Sequence, residues 1–333
     1  MRTRSAVWIA WERHRRSREL ARILGAELLE LTSTRRRPWK YVVLVGQTAA
    51  AIVRRQPAVV FVQCPSVFLG VLVAALRPVL GFVLVLDLHN ECVEPFNYLG
   101  RLYLRLIRWM WRASDVCIVT NPALAGVIGS AARHVAVLPD RIPGIQEVAG
   151  GEPAADPPLA VFVCTFAPDE PYADVIAAAA RLEGIEVHVT GNPSKATLPA
   201  TLPGNVRIRG YLPDTEYERL LCQATAIVDL TALENCLVCG AYEAVALEKP
   251  LVTSDTAALR AYFRRGTIYS RHTPEALAAA IEEAVRRHRA LTDEMRELKV
   301  TLLAEWDANR AGLEATVEAL AGARVRQRSG AAV

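Results

Sequence analysis

Short apolar runs alternate with longer helix-patterned stretches along almost the whole chain, and this alternation narrows the possible folds more than any other feature. "SAVWIA" (5–10), "AVVFVQ" (58–63), "FVLVLDLH" (82–89), "DVCIVTN" (115–121) and "HVAVLPD" (134–140) are apolar on both faces. Strands read this way when helices cover both sides of a parallel sheet. Helical stretches lie between them at about 12–25, 40–55 and 98–113. Such alternation defines βαβ units and an α/β fold.

The pattern breaks once, at "RIPGIQEVAGGEPAADPPL" (141–159), which is rich in Pro and Gly and reads as an interdomain linker. It then restarts. Strands are expected at 159–166, 185–192, 206–211, 226–231 and 250–255, with helices at about 172–183, 214–223, 239–248 and 273–290. Thr273, Pro274 and Glu275 open the last of these as N-cap, first position and acidic first turn. A final helical segment runs over 291–320. The expected organisation is two Rossmann-like domains, an N-terminal acceptor-binding one (1–145) and a C-terminal nucleotide-sugar-binding one (159–300). A linker over 146–158 joins them, a C-terminal helix (301–320) can cross back to the first domain, and the tail (321–333) is loose. A length of 333 residues with 52% hydrophobic residues fills two cores, since single cores rarely grow past about 250–300 residues. Ligands are then expected in a cleft facing the carboxyl ends of both sheets.

The near-balance of charges, net +4, gives no reason to expect a nucleic-acid partner. The first forty residues are more basic: Arg13, Arg15, Arg16, Arg18, Arg22, Arg35, Arg36, Arg37 and Lys40 face only Glu12, Glu19, Glu27 and Glu30. An acidic partner or a solvated basic face follows from that. No secretory signal opens the sequence, because the apolar run after "MRTR" is too short, which leads us to expect a cytoplasmic protein. The apolar stretch 67–88 contains Arg77-Pro78, so it reads as a buried helix, a turn and a strand rather than a span of about 30 Å of hydrocarbon. Cys64, Cys117 and Cys164 sit inside strand-like runs, where thiols behave as small hydrophobes, and no disulfide framework is expected.

"ENCLVCGAYEAVALEKPLV" (234–252) carries the most chemistry. Cys236 and Cys239 form a C-x-x-C, but no second pair of thiols or imidazoles has the spacing to complete a zinc site. A redox pair is the other thiol reading. The local grammar favours a third: strand "AIVDLT" leads through a loop into a helix starting near Cys239-Gly240, whose bare amides and dipole would hold a phosphate. Glu243 is then placed for a ribose diol, and Glu234 or Asn235 for sugar hydroxyls. Thr165, Phe166, Gly191, Asn192 and Tyr211, in loops after the strands of the second half, are further donor-binding candidates.

At these residues the sequence resembles glycosyltransferases of the GT-B fold, whose C-terminal domain carries a Glu-x7-Glu type signature before "EAMA-x-G-x-P"; here the text is "GAYEAVALEKPLVTSD". The resemblance implies a nucleotide-ribose role for Glu243. Eight residues separate Glu234 from Glu243, and Asn235 holds the seven-residue spacing, so which of the two meets the donor sugar stays open. "VVFVQCPS" (59–66), "LDLHN" (86–90), "ASDVCIVTNPALAGVI" (113–128) and "VCTFAPDEPYADVIAAAARL" (163–182) resemble the beta-mannosyltransferases that extend a lipid-diphosphate chitobiose, and related bacterial transferases. Those relatives imply a nucleoside-diphosphate sugar donor and inversion. Retaining relatives place Arg and Lys after the first strand of the C-terminal domain, where this chain has Asp169 and Glu170. Positive charge for the diphosphate is therefore expected from helix ends or from Arg141.

Inversion needs a base for the acceptor hydroxyl. His89, ending a strand, is the first candidate, as base or as a positioning group; Glu91 and Glu94 are its rivals. Arg13, His14 and Asn90 are acceptor-binding candidates. "RLYLRLIRWMWR" (101–112) places Arg101, Arg105, Arg108 and Arg112 within about 60° of one another on a helix, with apolar residues including Trp109 and Trp111 over the rest. That pattern suits a helix on an anionic membrane surface, or one wedged deep in the fold. The expected partners are a nucleotide sugar, a lipid-linked or glycan acceptor and the inner face of a membrane, with no metal and no cofactor beyond the donor. A sugar-nucleotide epimerase of the same fold and a non-catalytic scaffold are the alternatives.

Overall fold

The computed structural model describes residues 5–95, 100–145 and 156–330, with side chains to Arg326. Two compact units divide the chain: unit 1 is Met1–Asp140 with Trp306–Val333, and unit 2 is Arg141–Glu305. Most of the expected linker, 146–155, lies outside the described residues.

Unit 1 contains a six-stranded parallel sheet of β1 (Ala6–Ala10), β2 (Glu27–Glu30), β3 (Val59–Cys64), β4 (Val83–Leu88), β5 (Val116–Val119) and β6 (Val135–Val137), in the order β2-β1-β3-β4-β5-β6. The helices are α1 (Arg15–Ile23), α2 (Trp39–Arg55), α3 (Val67–Leu80), α4 (Gly100–Ala113) and α5 (Pro122–Ile128). The inner strands β1, β3, β4 and β5 are apolar on both faces because both are covered. Val60 and Val62 join one core cluster with Leu69, Val73 and Met110, while Phe61 joins the opposite one and stacks on Trp8 at 5.2 Å between centroids. α3 ends at Gly81, whose φ of +68° only glycine adopts without strain. No helix among the described residues is long and apolar enough to cross a membrane.

Unit 2 repeats the plan with β7 (Leu159–Phe162), β8 (Glu186–Thr190), β9 (Val206–Gly210), β10 (Ala226–Asp229), β11 (Leu251–Ser254) and β12 (Thr267–Ser270), all parallel, in the order β12-β11-β10-β7-β8-β9. Its helices are α6 (Tyr172–Ala179), α7 (Asp214–Gln223), α8 (Cys239–Ala246), α9 (Ala257–Tyr262), α10 (Pro274–Arg286) and the start of α11 (His288–Gly330). Strand order reverses between β1 and β3 in unit 1 and between β7 and β10 in unit 2. In sheets of this kind the carboxyl ends flanking the reversal form the ligand crevice.

Three features differ from the sequence expectation. β2 and β12 are four-residue edge strands, too short for a periodic signal. The expected helical segment 291–320 is part of one 43-residue helix, α11, that continues through 321–330, where a loose tail was expected. α11 serves both cores: Met295, Leu298 and Leu302 pack in unit 2, whereas Trp306, Leu313, Val317 and Ala321 pack in unit 1 beside Trp8 and Phe61. The Trp306 indole donates to the Pro139 carbonyl at 3.1 Å.

Candidate active site

In unit 2 the loop leaving β7 crosses the exit of β8. Gly191 has φ +94°, and a Cβ there would lie 2.1 Å from the Cys164 carbonyl oxygen, so the crossing requires glycine. The loop folds round a carboxylate. Glu170 accepts from the Thr165 amide at 2.8 Å, the Thr165 hydroxyl at 2.9 Å, the Ala167 amide at 2.9 Å and the Cys164 thiol at 3.2 Å. Converging amides of this kind make an anion site. Burial, with the Glu170 charge beside it, pushes the Cys164 thiol well up. Phe166 has φ +59°, is buried and meets Tyr172 edge-on at 5.3 Å, so it supports the loop instead of lining a ligand site. Asp169 ties the loop to the end of β10, accepting from the Thr231 hydroxyl at 2.6 Å.

The amide of Gly240, expected to be bare, donates to Asp229 at 2.6 Å. Asp229 ends β10 and is 4% exposed. Burial pushes its carboxyl well above the usual range, the Gly240 amide pulls back, and the charges of Glu170, Glu243 and Asp169 push further. A Cβ on Gly240 would come within 2.7 Å of Asp229 Oδ2 and 2.8 Å of Val163, so α8 starts hard against β7 and β10. The expected ribose ligand Glu243 is buried and accepts the Tyr217 hydroxyl of α7. Burial, then the Glu243 charge, drives the Tyr217 phenol far up. Glu234 is exposed, and its carboxylate caps α9 by accepting from the Ala257 amide at 2.8 Å. Asn235 is half-buried beside it, and Cys239 is exposed at the first position of α8. None of the seven cysteines is in a disulfide, and no group of three or more ligating side chains among the described residues could hold a metal.

The remaining donor candidates scatter. Asn192 caps a short 3-10 turn through the Ser194 amide at 3.1 Å. Tyr211 is 82% exposed, beyond β9 and two strands from the reversal. Arg141 is exposed at the start of unit 2. Sequence reasoning missed Glu170, Asp229, Tyr217 and His272; His272 Nε2 pairs with the Ser254 hydroxyl at 2.8 Å, and that hydroxyl accepts the Thr231 amide at 2.9 Å.

In unit 1 the reversal gathers polar groups from β1, β3 and β4. Arg16 lies fully inside, donating to Asp87 at 2.9–3.1 Å, to Asp140 at 2.8 Å and to the Leu138 carbonyl at 2.8 Å. Burial alone would lower its pKa, but the two carboxylates raise it. The His14 and His89 rings meet edge-on with centroids 4.8 Å apart, and His89 Nε2 is 4.0 Å from Asp87. His14 Nδ1 and His89 Nε2 are buried without a hydrogen-bond partner, as are Ser17 Oγ on α1 and both amide atoms of Gln63 on β3. Unsatisfied buried polar atoms are rare in a fold, and a ligand is one thing that satisfies them. Burial lowers the His89 pKa; Asp87 opposes this, while His14 and Arg16 add to it. His89 is thus neutral and able to accept a proton at neutral pH. Asn90 and Glu94 are half-buried, whereas Glu91 and Arg13 are exposed.

On α4, Arg101, Arg105, Arg108 and Arg112 are exposed together with Leu102 and Trp109. Trp111, expected at a lipid surface, is 5% exposed and belongs to the unit 1 core with Ile107 and Met110. The apolar majority of the helix is therefore spent on packing, and the outward stripe is four arginines flanked by one leucine and one tryptophan.

Residues 173–312 match a family model described as glycosyl transferase-like. No curated protein matches the chain. Among solved structures, sucrose-phosphate synthase from Thermosynechococcus elongatus is 17% identical over 91% of this chain and 84% of that one, with a TM-score of 0.67. HepE from Anabaena, in complex with UDP and glucose, is 11% identical over 92% and 99%, with a TM-score of 0.68. A putative UDP-N-acetylglucosamine 2-epimerase from Listeria monocytogenes is 11% identical over 87% and 90%, with a TM-score of 0.59. At such identities the likeness is one of fold, and the fold is GT-B. The family match lies within the second half of the chain, and the solved structures, a putative epimerase among them, share the fold.

Proposed function

We propose that the protein transfers a sugar from a nucleoside diphosphate donor to a lipid-linked or polysaccharide-precursor acceptor, with inversion and without a metal. Unit 2 takes the donor, and unit 1 takes the acceptor and supplies the base. The observation that carries the reading is the half-buried His89 at the carboxyl end of β4, held neutral by burial, with Asp87 4.0 Å from its Nε2 to steady the imidazolium that forms. The His89 imidazole takes the acceptor hydroxyl proton as the oxygen bonds to the anomeric carbon. The bond from that carbon to the diphosphate oxygen breaks, and its electron pair leaves on the diphosphate. The amides of Thr165 and Ala167 and the Thr165 hydroxyl, which hold Glu170, are the donors a phosphate would engage by exchange with that carboxylate. Solved relatives bound to UDP favour such a donor.

Thermal-shift titration with UDP, GDP and ADP tests the reading. A ligand at a hundred times its dissociation constant stabilises the folded protein by about 2.7 kcal/mol, and a panel in which no nucleoside diphosphate raises the transition sinks it. Turnover of the free nucleotide sugar without acceptor would instead indicate epimerisation. Glu170→Gln removes the competing charge from the amide nest and is expected to tighten nucleoside diphosphate binding by about tenfold in isothermal titration.

For an acceptor that stays in a bilayer, the α4 stripe is the docking element at the cytoplasmic leaflet. Replacing Arg101, Arg105, Arg108 and Arg112 by Glu should reduce co-sedimentation with vesicles containing phosphatidylglycerol by at least about tenfold, because each cation near an anionic surface contributes independently. Unchanged sedimentation would remove the membrane role from this helix.

A further inference from the structure

The helices α2, α3 and α4 cover one face of the unit 1 sheet, sending Leu44 and Ile52, Leu69 and Val73, and Ile107 and Met110 into a single core. α3 touches both neighbours: the Tyr41 ring of α2 meets Phe68 at 5.4 Å, and a Cβ on Gly70 would run into the Met110 sulfur of α4. The outward sides of the three helices therefore form one surface. On α2, Trp39 (63% exposed), Val42, Gly46 and Val53 fall within about 60° of one another, opposite the buried Leu44, Thr48, Ala51 and Ile52. On α3, Phe68 (60% exposed), Ala75 and Val79 (84% exposed) share one outward line in the same way. α4 adds Leu102 and Trp109 beside its four arginines. These helices, of 17, 14 and 14 residues, contain no Asp or Glu and carry eight Lys and Arg side chains. Among the described residues only two of the eight pair with a carboxylate, Arg55 with Glu27 and Arg77 with Asp115.

An exposed apolar face rimmed by charge marks a contact surface, and the sign of the charge selects the partner. A second copy of the chain would set arginine against arginine across the apolar stripes. An anionic bilayer instead offers phosphates to the cations and the edge of its acyl layer to the valines and rings. We propose that the outward faces of α2 and α3 dip into the boundary between headgroups and acyl chains of an anionic membrane, while α4 and the ends of α2 hold the phosphates. No described helix is long and apolar enough to cross, so the contact is interfacial. The inference deepens the membrane part of the reading above, in which α4 docks by charge, and rests on it for the partner. What α2 and α3 add is an apolar component that salt does not screen.

The test is co-sedimentation of the full chain with vesicles of phosphatidylcholine and phosphatidylglycerol in equal parts, at physiological and at high salt. The native protein should bind at both, more weakly at high salt. The variant Val42→Ser, Phe68→Ser, Val79→Ser keeps every cation and is expected to bind about tenfold or more weakly at either salt, because three apolar side chains lose their burial. Val79→Asp, a single change at an open position, should weaken binding in the same direction, and urea unfolding followed by tryptophan fluorescence checks that both variants are folded. Native-level binding by a folded triple variant or by Val79→Asp, or native binding abolished outright by high salt, overturns the proposal. So does a native dimer without vesicles that the triple variant turns into a monomer, since the face would then belong to a second copy. Thermal shift with UDP separates this surface from the transferase reading. A chain that binds UDP but no vesicle loses the surface and keeps its donor site, whereas one that binds vesicles but no nucleoside diphosphate keeps the surface and loses the donor assignment.

Discussion

His89→Gln is expected to lower transfer by about 10²–10⁴-fold, the contribution of a positioned general base, while UDP binding stays at the native level. The pH profile distinguishes the base from a positioning group. Burial holds the His89 imidazole neutral, so the acidic limb of kcat/KM should inflect below the ordinary value of about 6.5. A purely positioning histidine would leave no such limb for the glutamine variant to abolish. The same shift has a sign for stability. The unfolded chain takes up the proton first as pH falls, so stability should decline below about pH 6.5 and be unaffected by His89 above it.

Arg16→Met should cost unit 1 about 3–5 kcal/mol, because it leaves Asp87 buried at 1% exposure without its partner. All six tryptophans, Trp8, Trp11, Trp39, Trp109, Trp111 and Trp306, belong to unit 1. Intrinsic fluorescence during urea unfolding therefore reports on that unit without contribution from unit 2. The paired change Arg16→Met with Asp87→Leu removes both charges, and most of the loss should return. A single variant as stable as the native protein would show that the ion pair contributes nothing to the fold of unit 1.

Much of the fold was legible because buried parallel strands have to be apolar on both faces, as in "VVFVQ" and "FVLVLDL", whereas β8 and β9, toward one edge, show simple alternation. β2 and β12 were not, since four residues half-covered at an edge leave no period to read. Helical spacing found α4 but could not say which apolar sector faces the core, so Trp111 was placed at a lipid surface although it packs with Met110. The site shows the same limit. His14 and His89 stand 75 positions apart in the sequence, and each was singled out from its place at the end of a strand, but only the sheet order brings their rings together. The helix start at Gly240 was recognised, whereas the carboxylate that occupies its amide comes from the end of β10, eleven residues earlier, and a strand ending in Asp carries no mark of where that side chain turns. Glu243 was read as ligand-facing from its position one turn into α8. The hydroxyl that claims it belongs to α7, and pairing between helices has no signature in either segment.

The long terminal helix has a consequence for biosynthesis. Trp306, Leu313, Val317 and Ala321 close the layer that also holds Trp8 and Phe61, so a domain that begins with β1 is completed only after the whole of unit 2 has been synthesised. Until residues 306–321 emerge, the nascent polypeptide carries an open apolar layer. Vectorial synthesis thus delays closure of this layer until residues 306–321 have emerged, and a ribosome stalled before codon 306 should leave it open to a chaperone.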